Sequence, residues 1–213
     1  HENQLIHKQH YELVHRNKTL LSQSQHDALT GLPNRAYLND YAETTLTKAL
    51  KNRCTIGVEI LDIDYFKSIN DKYGHIEGDR YLSSVSDALR RIPEEFENVF
   101  VARYGGDEFV IVIPPDSYSR FENIVEDIKK IFSKPWFLKD ADYYCTMSMG
   151  IVTFPDAGDS VADLIKKADI AMYEAKKTGK NRVATYCEGI DSVSGRRLDM
   201  EKNMRDATVE GYR

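Results

Sequence analysis

The segment Arg103-Tyr-Gly-Gly-Asp-Glu-Phe109 most narrows what this chain can fold into. β-Branched and aromatic residues flank it, from Val99 to Tyr104 and from Phe109 to Ile113. Glycine reaches positive φ without steric cost, so the pattern predicts two antiparallel strands joined by a tight hairpin. Such a hairpin holds Asp107 and Glu108 at a sheet end. Gly105 and Gly106 leave no bulky side chain in front of them, and a phosphate and a divalent metal can approach. Taken alone, the heptapeptide is also compatible with an ordinary acidic turn in a β meander, so companion segments must decide.

Glu59-Ile-Leu-Asp-Ile-Asp64 is the first companion. Thr55 to Ile63 reads as a buried strand, and the run places carboxylates at its C-terminal end. A buried carboxylate is costly unless paired or metal-bound. If the hairpin lies beside this strand, Asp62, Asp107 and Glu108 converge, and their mutual repulsion is relieved by a hard cation. Mg²⁺ takes one or two carboxylates together with waters and phosphate oxygens. The pattern therefore predicts a nucleotide-phosphate metal site with one or two ions; for Asp62 alone, a strand-terminal cap is the alternative.

With 213 residues the chain can bury one good core plus appendages. Residues 1–26 lack Gly and Pro, and Ile6, Leu13 and Leu20 recur every seven residues, which fits a linker helix with an imperfect coiled-coil seam, interrupted by His10 and Asn17, and equally a solvated linker helix with no partner. Further helices are expected from about Arg35 to Lys51, through Leu82, Val85, Leu89 and Ile92, from Ser119 to Phe132 and from Val161 to Lys177. Strands are expected from Tyr143 to Thr153 and from Arg182 to Tyr186, with a loop around Gly74 to Gly78. Strands and helices mix without strict alternation. The expected fold is α+β, with helices flanking a mainly antiparallel central sheet.

A net charge of −5 argues against a nucleic-acid surface. No apolar stretch approaches the roughly 18 residues that span a bilayer, so no membrane contact is expected of this chain. Three cysteines without metal-type spacing suit a reducing, cytoplasmic setting. The chain opens at His1 without Met, so an upstream segment, including a membrane anchor, is compatible with the pattern.

Asp27-Ala-Leu-Thr-Gly-Leu-Pro-Asn-Arg35, Leu61-Asp-Ile-Asp-Tyr-Phe-Lys-Ser-Ile-Asn-Asp71, Tyr73-Gly-His-Ile-Glu-Gly-Asp79, the Gly-Gly-Asp-Glu segment and Ala168-Asp-Ile-Ala-Met-Tyr-Glu-Ala-Lys-Lys-Thr-Gly-Lys-Asn181 follow in order. Together they resemble the GGDEF domain of bacterial diguanylate cyclases over about residues 27–187. The resemblance implies a fold similar to nucleotide cyclases and polymerase palm domains. It also implies condensation of two GTP into cyclic di-GMP with release of two pyrophosphates, by a Mg²⁺-dependent (or Mn²⁺-dependent) homodimer.

Residue by residue, the resemblance assigns Asp62, the Ile63 carbonyl, Asp107 and Glu108 to metal, and Asp107 or Glu108 to accepting the 3′-hydroxyl proton. It assigns Asn70 and Asp79 to guanine, with His75 in the same segment either touching substrate or bonding within its loop. Lys67, Lys176 and Lys180 match phosphate-neutralising positions; Lys180 stands where many relatives carry Arg, a point charge in place of a fork. The inhibitory Arg-x-x-Asp of many relatives is matched by Phe96-Glu-Asn-Val99, which implies no product inhibition there. Residues 188–213 resemble the linker and entry helix before an EAL phosphodiesterase domain. The rival reading is accordingly a GTP-binding regulatory or dimerisation module controlling such a domain.

Overall fold

The computed structural model of the protein describes residues 24–138 and 141–190. The N-terminal helix expected over 1–26 lies, up to residue 23, outside the described residues, as does the C-terminal helix beyond 190. The first half of the described chain contains α1 (Arg35–Asn52), β1 (Ile56–Ile63), α2 (Phe66–Tyr73), α3 (His75–Leu89), α4 (Ile92–Glu95), β2 (Phe100–Gly105) and β3 (Glu108–Ile113). Then come α5 (Pro115–Tyr118), α6 (Phe121–Phe132), β4 (Trp136–Leu138), β5 (Ala141–Tyr143), β6 (Met147–Phe154), α7 (Val161–Lys177), β7 (Arg182–Thr185) and a 3₁₀ turn at Glu188–Ile190.

β1 is the middle of a five-stranded sheet of order β2-β3-β1-β6-β7. It pairs antiparallel with β3 and β6, β2 pairs antiparallel with β3, and only β7 runs parallel to its neighbour. Every β1 residue is buried, because both sheet faces are covered. On one face Val58, Ile60, Val110, Val112 and Val152 pack under α1 and α7. On the other, Leu61, Ile63, Phe109, Ile111 and Ile151 pack under α3 and α6. The apolar spacing expected on α6 is realised by Ile124, Val125, Ile128 and Phe132, all buried.

Local chemistry sets the helix ends. Asn34 caps α1 by accepting the Tyr37 N–H, and Ser160 caps α7 by accepting the Asp163 N–H. Gly150 on β6 is demanded by packing: a Cβ there would meet the Ala168 carbonyl oxygen at 1.9 Å and the Met172 nitrogen at 2.3 Å. The backbone of α7 thus lies directly on the sheet, carrying Lys176 toward the end of β1. Gly150→Ala is expected to destabilise the domain by about 3 kcal/mol, read as a lower denaturant midpoint, since neither contact can yield by a rotamer change.

Two expectations need correction. Gly74 to Gly78 is not a loop: Gly74 (φ 88°) is a joint between α2 and α3, and His75 to Gly78 form the first turn of α3. The strand expected from Tyr143 to Thr153 divides into β5, which pairs with β4 in a separate hairpin, and β6. Among the described residues, no helix is long and apolar enough to cross a membrane.

Candidate active site

The hairpin lies beside β1 as the sequence requires, with Asp62 directly opposite Glu108 in the β1–β3 register. Asp107 sits in the turn, and its carbonyl accepts the Ile63 N–H at 3.3 Å. Gly106 carries the positive φ (53°), and a Cβ on either turn glycine would meet nothing within 4 Å. The space in front of the turn is open.

Asp62 shares its sheet face with Ile60 and so looks toward α7, whose last turn supplies Lys176. The Lys176 ammonium stands 2.8 Å from Asp62 Oδ2, with the Asp62 side chain only 10% exposed. Burial, then the nearby Asp107 charge, push the Asp62 carboxyl up to about 7; Lys176 opposes the rise and Glu108 adds to it. Among the described residues, no group of three or more His, Cys, Asp or Glu side chains is gathered to hold a metal ion. The expected close convergence is thus looser than a ready-made ligand set. Asp62 nevertheless feels both hairpin carboxylates and already draws a cation. These oxygen donors suit a hard divalent ion that completes its shell with water and phosphate oxygens. Glu108 also lines a cavity of about 320 Å³ between α1 and α7, beside Arg35, Tyr104 and Lys166.

Glu59 does not join the site. It lies mid-strand with odd parity relative to Asp62, so it points to the opposite face and is fully buried, with neither carboxyl oxygen hydrogen-bonded.

The expected guanine-reading residues stand on α2 and α3. Asn70 Oδ1 is buried and has no hydrogen-bond partner among the described residues. A Cβ on residue 78 would fall 1.9 Å from that oxygen, so Gly78 is required for Asn70 to sit there. Asp79 is exposed, and with Leu29, Ile76, Tyr81 and Trp136 it lines an open cavity of about 1000 Å³. An orphaned buried acceptor near an exposed carboxylate suits a ligand with adjacent N–H donors. His75 is exposed at the head of α3, and Lys67 is exposed in the first turn of α2.

Three positioning groups escaped sequence reasoning. Arg103 donates to the Gly106 carbonyl from Nε (3.0 Å) and Nη2 (2.7 Å), and its Nη1 pairs with Asp27 Oδ1 at 2.9 Å. Asp27 also accepts from the Thr30 N–H and hydroxyl; burial alone would raise its proton affinity, but these bonds and the Arg103 charge hold it below the usual carboxylate value. Asp64, 2% exposed, binds β6 and the turn after α7. All three lie inside quoted motifs, so their motif membership was the available signal. The positions matching the Arg-x-x-Asp inhibitory site, Phe96 and Val99, are 1% and 4% exposed and belong to the core.

A mainly antiparallel sheet with acidic side chains at the end of β1 and a lysine-bearing helix over one face defines an α+β domain. Residues 24–182 match the family described as diguanylate cyclase, GGDEF domain, and the chain belongs to that family. It is 31% identical over 195 residues to the bifunctional diguanylate cyclase/cyclic di-GMP phosphodiesterase MucR of Pseudomonas aeruginosa, covering 92% of this chain and 28% of that protein. The chain therefore spans about a quarter of that relative's length. Among solved structures, the GGDEF domain of TpbB from the same organism superposes with a TM-score of 0.72 at 32% identity, covering 82% of this chain and 99% of the other. The coiled coil and GGDEF domain of DgcB from Caulobacter crescentus, in complex with c-di-GMP, gives 0.76 at 28% identity, covering 84% and 94%.

Proposed function

We propose that this chain is a diguanylate cyclase domain: each copy binds one GTP, and two copies facing each other condense the pair into cyclic di-GMP with loss of two pyrophosphates. The observation that carries the reading is the Asp62–Glu108 register pair, with Asp107 in the adjoining turn and Lys176 reaching in from α7. Asn70 and Asp79 receive the guanine: a carboxylate accepts from N1–H and the exocyclic amine, a donor pair adenine lacks. Lys176, Lys180 and Lys67 offset triphosphate charge. Asp62, Asp107, Glu108 and the Ile63 carbonyl hold Mg²⁺, or Mn²⁺ in its place. Bound there, the ion lowers the pKa of the attacking hydroxyl and stabilises charge on the phosphoryl group and leaving pyrophosphate.

Asp107 or Glu108 takes the 3′-hydroxyl proton. Holding two nucleotides in line supplies the proximity contribution, so a single copy binds GTP and makes almost no product. The Lys176–Asp62 ion pair favours a second reading, a GTP-binding module of a larger signalling protein in which Lys176 keeps the metal site closed.

Incubation with GTP and Mg²⁺, followed by chromatography, separates the two. Cyclic di-GMP whose rate per chain rises with protein concentration, and no product from ATP, is the expected result. Tight GTP binding with no product at high protein concentration gives the second reading.

A further inference from the structure

Asp64 and Tyr65, immediately beyond the end of β1, meet the turn that follows α7 from two sides. The Asp64 carboxylate accepts from Thr146 Oγ1 at 2.6 Å, Ser148 Oγ at 2.7 Å and the Asn181 N–H at 2.9 Å. Its oxygens are thereby committed to protein donors on β6, on the segment before it and on the turn. That turn runs through three successive residues of positive φ: Gly179 (126°), Lys180 (61°) and Asn181 (47°). Left-handed backbone is disfavoured for residues with a side chain and persists where the surroundings impose it; here Asp64 holds the Asn181 N–H while the Lys180 N–H donates to the Ala175 carbonyl at 3.0 Å. On the side-chain level, the Lys180 ammonium lies 3.6 Å from the centroid of the Tyr65 ring. The ring is 60% exposed and itself stands on left-handed backbone (φ 60°), so it is held out from the fold and contributes little to the core.

We propose that Asp64 and Tyr65 are positioning residues for Lys180. Asp64 fixes the backbone of the turn, and the Tyr65 ring holds the ammonium by a cation–π contact, so the cation that meets the triphosphate is in place before the nucleotide arrives. The proposal rests on the reading of Lys180 as a phosphate-binding cation given above. It has a physical motive in the residue type. A lysine lacks the rigid fork of arginine and loses more rotamer freedom per hydrogen bond it makes to a phosphate; a ring beneath the ammonium removes part of that loss in advance.

The test uses an α,β-methylene analogue of GTP, which cannot release pyrophosphate, and proton NMR of the Lys180 ε-methylene. In the unaltered protein that resonance is displaced by the Tyr65 ring current. Tyr65→Leu abolishes the displacement and weakens analogue binding by about two- to fivefold, the range of an exposed cation–π contact. Tyr65→Phe retains both. Lys180→Met weakens binding by more, and adding Tyr65→Leu to it costs nothing further. Asp64→Asn, which turns an NH₂ group toward donors, erases the displacement as well.

Tighter binding in Tyr65→Leu would overturn the proposal by showing that the ring withholds Lys180 from the nucleotide. Additive losses in the double variant would overturn it too. An undisplaced resonance in the unaltered protein removes the contact itself, and a displacement that survives Asp64→Asn removes the backbone half. If the unaltered protein fails to bind the analogue while the displacement is present, it is the nucleotide-site reading that falls, and the role given to Tyr65 with it.

Discussion

Asp107→Asn is expected to lower cyclic di-GMP synthesis on the order of 10³-fold while the fold stays intact, in line with the loss of one preorganised charge-stabilising group at a reacting phosphoryl centre. The backbone of Asp107 is secured independently of its side chain, through the Ile63 N–H and through Arg103 on the neighbouring Gly106 carbonyl. An amide there neither accepts the hydroxyl proton nor holds a divalent ion strongly. Removing the Asp107 charge also removes one cause of the raised Asp62 proton affinity, so the Asp62 carboxyl should ionise at lower pH in the variant. Turnover by chromatography, GTP affinity by titration and thermal unfolding separate the three effects. Activity within tenfold of the unaltered protein would place the reacting centre elsewhere.

Glu59→Leu should stabilise the domain, and the gain should grow with pH. Glu59 lies opposite Ile111 on β3 and Ile151 on β6. Burial, reinforced by the charge of Glu122, pushes its carboxyl from 4.5 up to about 8. The folded chain therefore keeps a proton that the unfolded chain releases above pH 4.5. Unfolding liberates that proton, so stability falls as pH rises from about 4.5 to about 8 and levels beyond. At ~1.4 kcal/mol per decade of proton affinity, the full loss is roughly 5 kcal/mol. Even protonated, the group leaves its polar atoms unpaired, a cost of about 1–3 kcal/mol. Denaturant midpoints at pH 5 and pH 9 should show a small gain in Glu59→Leu at the lower value and a large one at the higher. A difference that does not change with pH would mean that Glu59 is solvated or paired.

Much of the architecture was written in local patterns. The β1 run, the Gly-Gly hairpin and the α7 stripe each announce themselves by period and by turn chemistry, and their mutual placement follows once β1 must be covered on both faces. Gly74 to Gly78 reads as a loop because glycine near glycine suggests one, whereas Gly74 acts as a joint and Gly78 makes room for Asn70. The short β4–β5 hairpin carried too few alternating residues to separate it from β6. At the site, strand-end carboxylates were legible because polar groups at the end of an apolar strand demand a reason. Side-chain pairings between distant segments were not: Lys176 with Asp62, Arg103 with Asp27 and Asp64 with Asn181 have no sequence period, and each depends on which elements the sheet order makes neighbours. The isolation of Glu59 was hidden for the same reason, since parity alone turns it away from Asp62 and nothing in its own strand says what covers it.

The guanidinium that joins Asp27 to Gly106 has a mechanical consequence. Asp27 follows the segment in which the Gln25 carbonyl accepts the Asn34 N–H, and the Pro33 carbonyl in turn accepts the Arg103 N–H. Arg90, just past the end of α3, donates to the Thr30 carbonyl. The point where the chain enters the domain and the turn bearing Asp107 are thereby bolted to one frame. A displacement applied at residue 24 is passed to the turn bearing Asp107 through the Asp27–Arg103 ion pair and the Arg103–Gly106 hydrogen bonds.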